Sequence, residues 1–578
     1  MIDIINDVID GFLIEAFGQD SEGYLKVKSK YTTSITDNLD KGDITSNICM
    51  IAAGALKVNP KELSKNLTAD LNKLKEIESA ESAGPGFINI KLTRSAFVRS
   101  INNANETSKD YGRSASKNKK KIQIEFVSAN PTGPLHVGHG RGAAYGDAIG
   151  RILEACGHDV EKEYYVNDAG RQIDILTSSV CLRLMGADNP KMPDSSYKGQ
   201  YILDIADKFI EAHGKPSKNI ESILTDLPCD PEKEIDEITN RIKEDNLLWE
   251  NAKEISLDEV LYSIKEDLKN FNVIHDNWYY ESSLGSLSEG SSPISNAMNF
   301  LEDSGQAYKE NGALWLDTSS AKDDKNRVLV REDGRPTYFA SDVAYHKDKI
   351  DRGFDTLINV WGADHHGYIK RIESSIEGLG FDKNKLNVQL VQFANLFKDG
   401  KKVKMSTRSG EFYTLSDLVD EIGRDAARFY YLSKQADQHL DFDIDLAKAD
   451  NKENIFYYIQ YAHARICSLQ EKFLENNKKL PASANEIENN NYKNCDELIH
   501  EISKFPDVVK RSGANLHPHL IVYYLKDFSQ CFHSFYNDNH VLSESSENMD
   551  SILFCLNAAK QVIANGLNLL GIEPIEKM

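Results

Sequence analysis

Ala129-Asn-Pro-Thr-Gly-Pro-Leu-His-Val-Gly-His139 is the stretch of this sequence that decides the fold. It follows an alternating run, 122–128, which predicts a half-buried strand, and it leads into a long amphipathic helix. A strand, a turn rich in glycine and proline, and a helix form the first half of a β-α-β unit. The stretch therefore predicts a parallel α/β sheet with right-handed crossovers.

The same stretch predicts a phosphate site where the helix begins. His136 and His139 are three residues apart, so both rings lie on one face of the helix. The first turn also presents unpaired backbone N–H groups and the positive end of the helix dipole. Gly138 and Gly140 lack a Cβ, which lets a nucleotide lie against the backbone. Imidazoles here can donate to phosphate oxygens whose charge grows during displacement, which favours adenylation with ATP over two capping histidines.

A dinucleotide site is a second interpretation of these glycines. Gly138-His-Gly-Arg-Gly-Ala143 matches the pattern G-x-G-x-x-G/A, and Glu161 and Glu163 stand near the distance expected for a ribose-binding acid. In that pattern the first glycine follows the strand directly, whereas residues 130–135 intervene here. The spacing therefore favours ATP over NAD.

Length and composition describe a chain of several globular domains. At 578 residues, three or four domains are expected, and 40% hydrophobic and 27% charged residues are ordinary values. The net charge of −22 disfavours indiscriminate binding of nucleic acid. The eight cysteines include no C-x-x-C pair, which fits a reducing cytoplasm without disulfides or a cysteine-rich zinc site. We expect no membrane span, because no apolar run reaches about 18 residues.

Three domains are expected along the chain. Residues 1–115 are predicted to form a small α+β domain, with a helix from Ile48 and a strand at Phe87–Leu92. Residues 116–450 carry the strand–helix alternation, interrupted by acidic, helical insertions at about 175–330. Residues 451–578 show only helical patterns, which predicts a C-terminal α-helical bundle.

A basic loop at 398–410 is the second chemical element. It contains four lysines, Ser406, Thr407 and Arg408 between glycines, on an acidic protein. A mobile basic loop is suited to closing over a pyrophosphate leaving group. A plain exposed loop is the simpler alternative.

Two carboxylates are the third element. Glu125 lies on the first predicted strand, and Asp342 follows Tyr338 by four residues on a helical pattern, so these two share a face. Carboxylates near a triphosphate are unfavourable unless a cation compensates them. That cation can be Mg²⁺ or a cationic substrate, and carboxylates bind a guanidinium well in bidentate geometry.

A turn at Asp364-His-His366 contains residue types that ligate metals. No second cluster supports a metal there, so the turn is interpreted as a phosphate, adenosine or structural element.

These motifs together resemble the bacterial-type arginyl-tRNA synthetases, a family of class I aminoacyl-tRNA synthetases. His136-Val-Gly-His139 resembles the HIGH signature and Lys404-Met-Ser-Thr-Arg408 resembles the KMSKS loop. The likeness spans nearly the whole chain, with further similar motifs at 84–90, 125–130, 167–172, 361–368, 425–428 and 461–465.

The resemblance implies a Rossmann-type catalytic domain between an N-terminal additional, tRNA-contacting domain and a helical anticodon-binding domain. It implies ligation of L-arginine to tRNA(Arg) with ATP through an arginyl-adenylate, with release of AMP and pyrophosphate. It also implies that arginine activation depends on bound tRNA. Mg²⁺ is expected to arrive with ATP, no zinc is expected, and the protein is expected to be a cytoplasmic monomer.

The resemblance also assigns roles to residues. Catalytic roles fall on His136, His139, Lys404 and Arg408. Nucleotide contacts fall on Gly138, Gly140, Asp364, His365, His366, Met405 and Ser406. Arginine contacts fall on Glu125, Ser128, Asn130, Tyr338 and Asp342. The whole stretch Ala129, Asn130, Pro131, Thr132, Gly133, Pro134, Leu135, His136, Val137, Gly138 and His139 corresponds to the family's extended HIGH region.

One position departs from the family pattern. The second lysine of KMSKS is replaced by Thr407, with Arg408 following. Lys404 is therefore the first candidate for the cation that stabilises the developing phosphate charge, followed by Arg408 and Lys402.

Two other functions remain open at this point. A different adenylyl-transferring enzyme would act on a small metabolite without RNA, and a catalytically inactive relative would bind tRNA without aminoacylating it. Acidic residues outnumber basic ones from about residue 455, so charge alone does not predict RNA binding by the C-terminal domain. That assignment rests on the resemblance.

Overall fold

A four-stranded antiparallel sheet organises the beginning of the chain. The computed structural model describes residues 2–36, 41–116, 118–188, 191–217, 220–318, 325–403, 413–475, 479–481, 495–539, 541 and 546–578. Up to residue 107 its elements are α1 (Ile2–Phe17), α2 (Glu22–Lys28), β1 (Thr33–Ile35), β2 (Ile44–Ser46), α3 (Ile48–Leu56), α4 (Pro60–Leu71), β3 (Ile77–Ala83), β4 (Phe87–Leu92) and α5 (Arg94–Thr107). The strand order is β1-β2-β4-β3, and Ile88 and Ile90 of β4 are buried in the core beneath the helices. The prediction of an α+β unit here is confirmed.

The middle of the chain alternates strands and helices, as the sequence predicts. Its described elements are β5 (Lys121–Glu125), α6 (Val137–Ala155), β6 (Asp159–Val166), α7 (Arg171–Leu184), α8 (Gln200–His213), α9 (Ile220–Leu224), α10 (Pro231–Lys243), α11 (Asn246–Asn270), β7 (Asn277–Tyr280), α12 (Pro293–Asp303), β8 (Ala307–Glu310), β9 (Ala313–Leu316), β10 (Arg327–Val330), α13 (Tyr338–Asp351), β11 (Thr356–Gly362), α14 (Ile369–Gly378), β12 (Leu386–Val391), β13 (Ala394–Lys398), β14 (Lys401–Lys402), α15 (Leu415–Ile422), α16 (Arg424–Tyr431), β15 (Leu440–Asp443) and α17 (Ile444–Ala447).

Five of these strands form one parallel sheet in the order β12-β11-β5-β6-β7. Numbered along the chain from β5, this is the 3-2-1-4-5 order of a Rossmann sheet. The strand before the opening stretch is central, since Ile124 pairs with Lys162 on one side and Ile358 on the other. The strand order reverses between β5 and β11, and such sheets bind ligands at the carboxyl ends of the strands beside that point. The predicted Rossmann-type domain is confirmed.

The segment 175–330 differs from the helical insertion that the sequence suggested. Helices α8 to α11 do fill its first part, but Asn277–Tyr280 returns to the main sheet as β7, parallel to β6. A separate antiparallel sheet, β10-β9-β8, lies after α12. The interpretation as helices alone is wrong because strands of four residues are too short to show alternation, and their place is set by pairing with distant strands.

Four helices form the end of the chain: α18 (Ile455–Leu474), α19 (Cys495–Asn515), α20 (His519–Asp538) and α21 (Ser546–Leu569). The predicted C-terminal helical region is confirmed. Within the described ranges, no helix is both long and apolar enough to cross a membrane.

A buried arginine joins the C-terminal helical region to the sheet domain. Arg428 of α16 lies 2.6 Å from Asp147 of α6, and both side chains are completely buried. Arg428 also donates to the carbonyl oxygens of Leu570 (3.0 Å) and Phe271 (3.0 Å). One guanidinium therefore ties the helix of the histidine pair to the residues that follow α21.

Candidate active site

A cavity of about 290 Å³ opens where the strand order reverses. Its walls come from the segment after β5, the beginning of α6, the end of β11 and the end of β12. It brings together eight residues that the sequence singled out: Ser128, Ala129, Asn130, His136, Gly138, His139, Asp364 and His365. Val127 and Ser128 adopt left-handed backbone (φ 69° and 41°), which turns the chain sharply at the end of β5.

The histidine pair caps its own helix. His136 precedes α6, and its Nδ1 accepts a hydrogen bond from the N–H of Gly138 (3.0 Å). The N–H of His136 in turn donates to Nδ1 of His139 (3.3 Å). The two rings stack with centroids 3.8 Å apart. The capping interpretation of these histidines is thus correct, and it does not compete with a catalytic one.

The caps determine which nitrogen carries hydrogen. Because Nδ1 of both rings accepts a hydrogen bond, a neutral imidazole must carry its hydrogen on Nε2. Burial lowers the pKa of His136, and burial together with His136 lowers the pKa of His139 to about 3. At neutral pH both rings are uncharged hydrogen-bond donors.

The glycines of α6 differ in what they do. A Cβ on Gly138 would lie 2.7 Å from the His136 ring, so glycine here permits the cap. A Cβ on Gly140 would lie 2.7 Å from Tyr431 and 2.9 Å from Leu415. Gly140 is therefore explained by packing against α15 and α16, and its contact with a nucleotide stays a prediction. Gly142, which the sequence reasoning passed over, lines the cavity and has open space at its Cβ position.

A second cavity of about 340 Å³ shares the histidine pair. Both His136 and His139 line it, together with the turn 129–135, Gln172, Tyr197 and Tyr201. Tyr201 donates to the carbonyl oxygen of Thr132 (2.7 Å), which fixes the turn. The histidines therefore stand between two cavities and are accessible to two ligands at once.

The residues that follow the basic loop lie beside the histidines, and the residues that begin it are attached to β13. Lys404, Met405, Ser406, Thr407 and Arg408 lie outside the described residues. At one end, the N–H of Val403 donates to Leu396 of β13 (2.8 Å). At the other, the N–H of Val137 donates to Tyr413 (3.3 Å), and Thr414 pairs with His136 as a β-bridge. Lys402 is exposed on β14.

An acidic pocket lies on the other side of the end of β5. Glu125 is 8% exposed, and its two oxygens accept from Lys349 (2.6 Å) and from the hydroxyl of Ser128 (3.1 Å). The hydroxyl of Tyr368 donates to Asp342. Burial, together with the negative charges of Glu125 and Glu281, raises the pKa of Asp342 to about 7, although the Tyr368 hydrogen bond and the charge of Lys349 lower it. The two predicted carboxylates therefore converge.

Glu281 is a third acid that sequence reasoning missed. It follows β7 directly, and burial raises the pKa of its carboxyl while Tyr165 donates a hydrogen bond to it. The side-chain amide nitrogen of Asn167 lies 2.9 Å from its Oε2. An acid directly after a parallel strand would have indicated a site residue, but the sequence pattern did not predict β7 as a strand.

The remaining predicted residues are more exposed. Tyr338 begins α13, one turn before Asp342, and is 71% exposed. His366 is exposed in the turn 363–368 and does not line the cavity that Asp364 and His365 line. Asn130 donates to Gln172 (2.7 Å). Among the described residues, no three His, Cys, Asp or Glu side chains are grouped to hold a metal ion.

Family models match the chain in three consecutive parts. Residues 3–92 match the arginyl tRNA synthetase N terminal domain, and residues 100–477 match the catalytic domain of class I tRNA synthetases (R). Residues 459–578 match the DALR anticodon binding domain.

Curated relatives and solved structures agree with these models. The chain is 42% identical to the arginine--tRNA ligase of Thioalkalivibrio sulfidiphilus over 98% of both chains, and 41% identical to that of Coxiella burnetii over 96% of both. A putative arginyl t-RNA synthetase structure from Campylobacter jejuni is 34% identical, with a TM-score of 0.71 over 84% of this chain and all of that one. The arginyl-tRNA synthetase of Thermus thermophilus has the same fold, with a TM-score of 0.74 over 99% of both chains at 19% identity.

Identity over nearly the full length and the three matching models agree on one function. The chain belongs to the arginyl-tRNA synthetases, class I enzymes that use ATP to ligate arginine to tRNA(Arg).

Proposed function

We propose that both half-reactions take place at the end of β5, where two chemically different regions meet. The observation that carries this proposal is the contrast between them. On one side stand two uncharged imidazoles with hydrogen on Nε2. On the other stand three carboxylates, Glu125, Asp342 and Glu281. Neutral donors suit a polyphosphate, and grouped carboxylates suit a guanidinium.

The nucleotide binds in the cavity beside β11 in this proposal. Gly138, Asp364 and His365 contribute to its walls, with His366 at its edge. The carboxylate of arginine attacks the α-phosphorus, and the bond to pyrophosphate breaks. His136 and His139 donate to phosphate oxygens, on which negative charge grows in the transition state. Arginyl-adenylate then passes its acyl group to the tRNA, which releases AMP.

The basic loop 398–410 is proposed to stabilise the pyrophosphate. Lys404 is the first candidate cation, with Arg408 and Lys402 behind it, and Met405 and Ser406 complete the predicted nucleotide contacts. The β-bridge of Thr414 with His136 supports this role, because it brings the chain that follows the loop beside the two histidines. Mg²⁺ is proposed to arrive bound to ATP.

Arginine is proposed to bind with its guanidinium between Asp342 and Glu281. Glu125, Ser128, Asn130 and Tyr338 complete the contacts implied by the family resemblance. The hydroxyl and amide contacts to Asp342 and Glu281 support the assignment, since neutral donors orient the carboxylates without adding a positive charge.

The tRNA is proposed to contact both ends of the chain. Residues 1–115 form the additional tRNA-contacting domain and residues 451–578 the anticodon-binding domain in this proposal, with 116–450 as the catalytic domain. Activation of arginine is proposed to need bound tRNA. The buried Arg428, which joins α6 to Leu570, supports such a link between domains. We further propose a cytoplasmic monomer, and zinc is not expected.

A stacking surface supports the anticodon assignment despite the acidic charge of the C-terminal helices. The Arg465 guanidinium lies 5.0 Å from the centroid of Tyr461 and 4.2 Å from that of Tyr536. Tyr461 stacks on His533 (5.6 Å) and on Tyr457 (6.2 Å). Half-buried aromatic rings interleaved with arginine are suited to unpaired bases.

Replacement of His139 by alanine tests the phosphate role. In arginine-dependent ATP–pyrophosphate exchange with tRNA present, His139→Ala should be slower by a factor of about 10²–10³, the usual effect of losing one preorganised donor. His439→Ala, at an exposed histidine, is the matched control. An unchanged rate in His139→Ala would remove this residue from the mechanism, and no exchange by the natural protein with arginine and tRNA would remove the proposed function.

The pKa of Asp342 predicts how arginine binding depends on pH. Its carboxyl, with a pKa of about 7, must lose a proton to bind a guanidinium. The KM for arginine should therefore rise as pH falls below about 7, approaching tenfold per pH unit. Asp342→Asn should have a high KM at every pH, whereas Asp351→Asn at the exposed end of the same helix should behave like the natural protein. A KM that does not vary between about pH 6 and 8 would contradict the assignment.

Replacement of Arg465 tests the stacking surface. Arg465→Met should raise the KM for tRNA(Arg) about tenfold, consistent with the loss of about 1–3 kcal/mol of stacking per base. The KM values for ATP and arginine should not change. Lys472→Met removes an exposed positive charge from the last turn of the same helix and is the control. Equal effects of the two variants would mean that charge, and not stacking, is what Arg465 supplies.

A further inference from the structure

A buried lysine lies beneath the acidic pocket. Lys349 is on α13, and its side chain is completely buried. Its ammonium donates to Oε2 of Glu125 (2.6 Å) and to Oδ1 of Asn359 on β11 (3.1 Å). It also lies 4.1 Å from the centroid of the Tyr345 ring. Burial of a lysine ammonium costs free energy unless the charge is paired, and the charged partner of Lys349 is Glu125.

Each cation beneath the acidic pocket is paired with a carboxylate. Arg352 binds Glu163 through two nitrogens (2.6 and 3.0 Å), and Lys349 binds Glu125. The described hydrogen-bond partners of Asp342 and Glu281 are neutral: the hydroxyls of Tyr368, Tyr165 and Ser341 and the amide of Asn167. Once the inner pairs are counted, the pocket retains the negative charge of these two acids for an incoming cation.

Lys349 is also connected to Asp342 through hydrogen bonds. Asn359, which accepts from Lys349, donates through its amide to Nε2 of His346 (2.8 Å). Because Nε2 of His346 accepts, its hydrogen is on Nδ1, which donates to the backbone oxygen of Asp342 (2.8 Å). Burial lowers the pKa of His346 to about 3, so this ring stays neutral. One lysine is thereby linked to both acids that sequence analysis had assigned to the substrate.

We propose that Lys349 is a positioning residue for arginine: its ammonium is an internal counter-ion that keeps Glu125 ionised and oriented, so that the guanidinium is bound by Asp342 and Glu281. The inference rests on the proposed arginine site. Lys349 does not touch the substrate. A stability role alone does not explain the pair, because replacement of a buried ion pair by apolar side chains is often neutral or stabilising.

Protonation in this region depends on groups from every element around Lys349. In addition to Glu125, the titratable or charged side chains come from several elements. They are Glu161, Glu163 and Tyr165 from β6, Tyr279 from β7, Glu281 after β7, Asp342, Tyr345, His346 and Asp348 from α13, Arg352 directly after α13, and Tyr368 after β11. Removal of the Lys349 charge leaves Glu125 as a buried carboxyl without a cation. Such a group binds a proton near neutral pH.

The variant Lys349→Met keeps most of the side-chain volume and removes the charge. The KM for arginine should rise about tenfold near pH 7 and return toward that of the natural protein near pH 9, because arginine must displace one additional proton. The KM for ATP should not change. In calorimetric titrations with L-arginine, with tRNA bound and in buffers of different ionisation enthalpy, the variant should release about one more proton per arginine than the natural protein.

Two further variants make the result decisive. Lys347→Met, at a lysine of the same helix paired with Asp351 (2.6 Å), should leave the KM and the proton count unchanged. The double variant Glu125→Gln/Lys349→Met replaces the ion pair with neutral side chains, so it covers the case in which the single variant does not fold. It should bind arginine weakly at every pH and release no additional proton.

Opposite results overturn the inference. A defect of Lys349→Met that has the same size at all pH values means that the lysine is only structural. Arginine binding by the double variant as tight as that of the natural protein means that Glu125 and Lys349 do not matter for the substrate. If the natural protein itself does not bind L-arginine, the proposed function fails instead, and the two failures are thereby distinguished.

Discussion

The reciprocal cap at the beginning of α6 is the constraint on which the site depends. It uses Nδ1 of His136 and of His139 for backbone N–H groups, and so leaves Nε2 of each ring as a donor. Burial keeps both rings neutral, so their hydrogen-bonding role is independent of pH in the physiological range. The same segment pairs with Thr414, which means that the cap also determines where the basic loop ends. One local motif therefore brings the imidazole donors, the helix dipole and the end of the basic loop together at the position where we propose that phosphate binds.

The acidic pocket is organised by a different principle. Its inner carboxylates are each bound to a cation of the protein, Glu163 to Arg352 and Glu125 to Lys349, whereas Asp342 and Glu281 are held by neutral donors. The short turn after β5 lies between the two regions. In the proposed function the polyphosphate is bound beside the uncharged imidazoles, away from the carboxylates that would repel it and that bind the guanidinium.

Local sequence was sufficient for the elements whose pattern is long or chemically distinctive. The places of strand β5 and helix α6 were predicted correctly because strand alternation and helical periodicity are local, although β5 ends at Glu125 and not at Ser128. Strand β7, and with it Glu281, was missed because four residues between long helices give no periodic signal, and their place depends on pairing with β6. The packing of Gly140 could not be predicted because its neighbour Tyr431 comes from a distant helix. Lys349 carried a usable signal, since it follows Asp342 by seven residues and so shares its helix face.

The tautomer and charge of the two histidines are the central claim, and nitrogen NMR of the full-length protein with ¹⁵N-labelled histidine measures both directly. His139, with a pKa of about 3, should show the neutral Nε2–H form with no titration between about pH 5 and 8, and His136 should show the same tautomer. Assignment would come from the loss of each signal in a His136→Gln or His139→Gln variant. A hydrogen on Nδ1, or titration of His139 near its ordinary pKa of about 6.5, would contradict the account.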